Sequence, residues 1–199
     1  MSLVPTPQHD RALAADGVLD AWFRGDPSVA RAEWFRKDEA FDAAIRDRFG
    51  ALVEAALHGA HRDWDATPAG ALARVLLLDQ FTRNIFRGTP RAFAGDGLAL
   101  DAARSMLQRG DDRALAPLQR VFAYLPYEHA EDATAQRESV RLFEALEREE
   151  PSTTDFAEYA RRHAAVVERF GRFPHRNAVL GRTSTAEETA FLREPGSSF

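Results

Sequence analysis

The chain has 199 residues, 45% of them hydrophobic and 29% charged, an ordinary globular balance at a length that suits one domain of roughly 100–200 residues. It has no cysteine, which excludes disulfides, thiolate metal sites and a cysteine nucleophile. A net charge of −5 argues against general nucleic-acid binding, because neutralising phosphates needs a basic surface.

Alanine and leucine supply 55 residues against 12 for valine and isoleucine, a composition that favours helices over strands. Glycine and proline fall between apolar periodic stretches, and the resulting punctuation predicts about eight helical segments. The first spans 10–23 and stops before Gly25-Asp26-Pro27; a short one follows over 28–35. From 38 to 58, Phe41, Ile45, Phe49, Leu52 and Ala56 recur at three- and four-residue steps, and Gly59 offers a C-terminal cap.

Thr67-Pro68 supplies an N-cap and a first-turn proline for a helix over 67–86. In its first half Leu72, Val75, Leu76, Leu77 and Leu78 leave only Arg74 polar, so this helix is expected at the centre of the core. Asp96 is expected to cap a helix to 109, and Gly110-Asp111-Asp112 turns the chain into another that ends near Leu125-Pro126. A helix over 131–149 shows Val140, Phe143 and Leu146 on one side. Ser152 with Asp155 resembles a capping box for a helix through 170, closed by Gly171, and Thr185 with Glu188 opens a last helix to about 193.

Short connections between consecutive helices favour antiparallel neighbours. The expected architecture is therefore one all-α domain over 1–199, with an ordered core over 10–194 built of antiparallel helical hairpins. No roughly 34-residue tetratricopeptide period is visible. No apolar run approaches the roughly 18–20 residues that cross a bilayer, and residues 1–10 carry no charged segment followed by an apolar block. A cytoplasmic protein without membrane partners is expected.

Polar residues crowd at three places. Asp79, Gln80, Arg83, Asn84 and Arg87 follow the buried half-helix; Asp79 and Arg83, four apart, can pair along one face with Arg87 beside them, and arginines there also suit the negative end of the helix dipole. Glu128 and His129 lie between Tyr124-Leu125-Pro126 and Glu131-Asp132. A histidine beside carboxylates suits acid–base work, but adjacent residues on a helix point about 100° apart, so no metal site and no cofactor are expected. Between Arg161 and Arg182 stand six arginines and one acid, Glu168. Here Arg172, His175, Arg176, Asn177 and Arg182 are candidates for an anion pocket, while seven acids over 134–158 offer internal pairing instead. His163 shares an apolar face with Phe156, Ala160, Val167 and Phe170, which points to a hydrogen-bonded core histidine.

At these three places the sequence resembles a bacterial family, domain of unknown function 924. The matching strings are Leu78-Asp79-Gln80-Phe81 with Arg83-Asn84-Ile85-Phe86-Arg87-Gly88-Thr89, then Tyr124-Leu125-Pro126 with Glu128-His129 and Glu131-Asp132, then Arg169 to Asn177 with Leu180-Gly181-Arg182. The resemblance covers about Val18 to Leu192 and implies a tetratricopeptide-like helical fold; it brings no reaction. The residues favour a binding protein whose groove takes an anionic small molecule or peptide carboxylate; the alternatives are a hydrolase using His129 or His175 as base, with Glu128 and the arginines assisting, and a protein-interaction scaffold.

Overall fold

The most apolar stretch of the sequence becomes the axis of the molecule. In the computed structural model, which describes residues 7–197 and their side chains from residue 14 onward, Leu72, Val75, Leu76, Leu77, Leu78 and Phe81 are fully buried. They belong to one continuous rod: helix α3 (Pro68–Val75), a π-helical stretch (Leu76–Phe81) and α4 (Thr82–Ile85). Around it pack α1 (Pro7–Phe23), α2 (Glu39–Leu57), α5 (Asp96–Arg109) and α6 (Pro117–Glu128). α7 (Ala133–Glu149) lies on α6, α8 (Thr154–Phe170) lies on α7, and α9 (Ala186–Phe191) closes the chain. Counting the rod once gives eight helices, and there is no strand, among the described residues. Each leucine taken from water on the rod contributes about 1.5–3 kcal/mol, which is why the rest of the chain wraps around it.

Local chemistry sets the helix ends. Thr67 Oγ1 accepts from the Gly70 N–H (3.1 Å), and Thr185 and Glu188 cap each other reciprocally, as their spacing predicts. Gly171 closes α8 at φ 71°, the left-handed turn that favours glycine.

Four sequence expectations need correction. Residues 28–35 hold only a 3₁₀ turn, Ala32–Trp34, because Arg31 Nη1 and Trp34 Nε1 reach back to the Trp22 carbonyl at 2.7 and 3.1 Å and bind the segment over the end of α1. Asp96 is the first residue of α5 rather than its cap; the cap position is Gly95. Ser152 turns its hydroxyl to Glu150 at 2.9 Å, and α8 starts after Thr153 without a side-chain cap. α6 does not stop at Leu125-Pro126 but runs to Glu128. Gln136 of α7 makes this possible by donating to the carbonyls of Glu128 and Ala130 at 2.6 and 2.7 Å, which supplies partners the helix end lacks.

The π stretch widens the rod and loosens its carbonyls from the regular ladder. Side chains take them up: Thr82 Oγ1 donates to the Leu78 carbonyl at 2.8 Å, and Arg83 Nη1 donates to that of Asp79 at 2.6 Å. Gly95 sits directly against this turn. A Cβ there would lie 2.1 Å from the Leu78 carbonyl oxygen, so only glycine lets α5 begin close enough for Asp96 to reach Arg83.

Candidate functional site

Asp79, carried by the π stretch, is a fully buried carboxylate. His129, just past the end of α6, directs Nδ1 at its two oxygens from 2.8 and 3.0 Å. Gln80 Nε2 donates to it at 2.6 Å, and Arg83 Nη1 lies 3.3 Å away, the four-residue pairing that the spacing predicts. Because an ionised carboxylate only accepts, the imidazole carries its proton on Nδ1. Its Nε2 makes no hydrogen bond among the described residues, and the side chain is 15% exposed. A buried acid thus fixes the ring while the opposite nitrogen faces outward.

The electrostatics follow from burial and neighbours. Burial works to raise the Asp79 carboxyl, but the Arg83 guanidinium, His129 and Gln80 outweigh it and hold the group far below the usual carboxylate range. Burial pushes the His129 imidazole down, and Arg83 adds to this against the pull of Asp79, so the ring is neutral at neutral pH. Glu128, one residue earlier on α6, is 4% exposed. Burial and the nearby Asp79 charge push its carboxyl up to about 8. Its Oε1 lies 3.2 Å from His163 Nδ1, and its Oε2 has no hydrogen-bond partner among the described residues. His163 is the buried core histidine that the periodicity predicts: its Nδ1 donates to the Tyr159 carbonyl at 2.9 Å, and burial lowers it to about 3. His175, lowered to about 4 by burial and by Arg176, joins the group across Phe173, ring centroids 5.6 Å apart.

Of the sequence candidates, Asp79, Gln80, Arg83, Glu128, His129, His175 and Arg176 converge here. Arg83 grips Asp96 with both Nη atoms (2.9 and 3.1 Å), and Arg176 Nη1 reaches the same carboxylate at 3.1 Å. The others stand apart. The rod ends at Ile85, so Arg87 leaves the face shared by Asp79 and Arg83; with Asn84 it binds Asp42 of α2, at 2.6 and 2.7 Å. Arg172 makes a two-point pair with Glu188 of α9 (2.6 and 2.9 Å). Arg182 does the same with Glu131 (2.6 and 2.9 Å) and accepts no role beyond bracing: its Nη2 donates to the Phe173 carbonyl, Glu131 accepts the Phe173 N–H, and Asn177 accepts from Arg182 Nε. The acids that neutralise the basic stretch come mainly from Asp96, Glu131, Glu187 and Glu188, with only Arg161 turning to Glu144 and Glu147 of the 134–158 segment.

Sequence reasoning missed Asp96, Phe93 and Phe173 as members of the cluster. Phe93 and Phe173 both lie against Arg176, whose Cζ is 4.7 and 4.5 Å from their ring centroids. Gly95 before Asp96 was the available signal, and nothing linear reveals its close contact with the π turn. Solvent meets the cluster at His129, Arg83, Asp96 and His175. A separate groove of about 880 Å³, bordered by Arg104, Arg120, Tyr124 and Arg141, shares none of these residues.

The model of a family described as bacterial protein of unknown function (DUF924) matches residues 18–196. A solved structure of a protein of unknown function, ATU0120 from Agrobacterium tumefaciens, is 42% identical, with a TM-score of 0.81 over 92% of this chain and 97% of that one. Nothing among the curated proteins matches.

Proposed function

The chain belongs to the bacterial family of unknown function DUF924, and we propose that it is an enzyme of hydrolase type in which His129 is the general base. The observation that carries this reading is the Asp79–His129 pair: a buried, ionised carboxylate 2.8 Å from Nδ1, a neutral ring, and an Nε2 with no hydrogen-bond partner among the described residues. In the reaction, Nε2 takes a proton from water as the water oxygen bonds to a carbonyl carbon or phosphorus. The imidazolium then returns that proton to the departing oxygen as its bond breaks. Asp79 does not touch substrate; it holds the tautomer and stabilises the imidazolium. Glu128 stays protonated at neutral pH and adds no second negative charge beside Asp79.

An open groove lined by many arginines gains less support, since Arg83, Arg87, Arg172 and Arg182 are each committed to a carboxylate. The test compares wild type with His129→Gln on p-nitrophenyl acetate and p-nitrophenyl phosphate. General-base catalysis contributes about 10²–10⁴-fold, so the variant should lose at least about a hundredfold in kcat/KM while unfolding as cooperatively as wild type. Equal rates, or no turnover of either compound by wild type, would overturn the reading.

A further inference from the structure

Arg176 differs from every other arginine of the cluster in how little of it is used. The side chain is 7% exposed, and its Cζ lies over the rings of Phe93 and Phe173, 4.7 and 4.5 Å from their centroids. A guanidinium has five N–H donors. Here one hydrogen bond is made, from Nη1 to Asp96 Oδ2 at 3.1 Å; Nε has none, and Nη2 has none among the described residues. By contrast, Arg83 spends both Nη groups on the same Asp96 carboxylate. Desolvating a cation without giving its donors acceptors is unfavourable, and burial already draws Arg176 down to about 10. It nevertheless remains charged at neutral pH. The two rings brace the guanidinium, and its unused Nη2 N–H groups are the kind of donor with which arginine receives a carboxylate or phosphate.

We propose that Arg176 is the substrate anchor of the site: it takes an oxyanion through Nη2, so that the molecule processed at His129 carries a carboxylate or a phosphate group. This rests on the general-base reading for its chemistry but not for its binding. Arg83, already gripping Asp96 with both Nη atoms, keeps that acid from turning fully onto Arg176. Specificity for a charged substrate then comes from one preoriented cation rather than from a broad basic surface.

The experiment separates binding from turnover. Succinate and inorganic phosphate are titrated by calorimetry into wild type, His129→Gln, Arg176→Lys and Arg176→Met, each first checked for a cooperative thermal transition. His129→Gln should bind at least one of the two anions like wild type, and Arg176→Lys, which keeps charge and stem but loses the fork, should bind at least tenfold more weakly. In parallel, wild type should favour mono-p-nitrophenyl succinate over neutral p-nitrophenyl acetate at least tenfold in kcat/KM, with the preference residing in KM and vanishing in Arg176→Lys. Binding by His129→Gln alongside an inactive wild type would uphold the anchor and remove the general base. Failure of both anions to bind His129→Gln, or undiminished binding by both Arg176 variants, would overturn the anchor; should Arg176→Met fail to fold, Arg176→Lys decides.

Discussion

Replacing Glu128 by glutamine should make the protein more stable, and increasingly so as the pH rises. The carboxyl is 4% exposed, faces His163 through one oxygen only, and is raised from 4.5 to about 8. A group whose folded value lies above its unfolded one contributes fully below the unfolded value, and that contribution is lost as pH rises toward the folded value. Each pH unit between the two is worth about 1.4 kcal/mol. Wild type should therefore lose about 3 kcal/mol relative to Glu128→Gln between pH 4.5 and 7, and about 5 kcal/mol by pH 8 and above. The neutral amide keeps the shape, and His163 Nδ1 keeps its bond to the Tyr159 carbonyl, so little else changes. Urea unfolding of both proteins at half-unit steps from pH 4.5 to 8.5 measures the difference directly, and the histidines, common to both, cancel. Parallel curves across this range would refute the argument, because they would mean that Glu128 ionises in the fold as it does in water.

Other perturbations address the packing that assembles the site. Gly95→Ala should destabilise by about 2 kcal/mol or more and weaken the Arg83–Asp96 grip, since the added carbon meets the Leu78 carbonyl at 2.1 Å; urea unfolding measures the loss, and a neutral substitution would contradict the close approach. Leu77→Ala in the fully buried rod should cost about 2–5 kcal/mol by the same assay. His163→Phe should be less acid-sensitive than wild type. A histidine lowered from 6.5 to about 3 supports the fold above the higher value and loses that support as pH falls toward the lower one, which acid titration followed by circular dichroism reads.

Much of this was legible in the sequence because it depends on short-range periodicity. The spacing of Leu72 to Leu78 marked the buried rod, Thr67-Pro68 and Thr185 with Glu188 marked real caps, and the apolar register of His163 marked its burial. The three polar stretches also held most of the polar side chains that the fold brings together, including His129 and Arg176. What stayed hidden depends on distance or on small shifts of register. The π stretch leaves the apolar pattern intact while turning Asp79 and Gln80 toward α6. Pro126 read as a stop, yet Gln136 from the next helix carries α6 on to Glu128. Asp96 read as a cap because its true partners, Arg83 and Arg176, are 13 and 80 residues away. Arginine content misled in the other direction: most of the basic stretch is spent on Asp96, Glu131, Glu187 and Glu188.

The state of the His129 ring is the point on which the functional account turns. A two-dimensional ¹H–¹⁵N spectrum of the imidazole nitrogens at pH 7, assigned by its loss in His129→Gln, reads that state directly. The account predicts a neutral ring with its proton on Nδ1 and a bare Nε2. A ring protonated at Nε2, whether as the other tautomer or as the imidazolium, would contradict it.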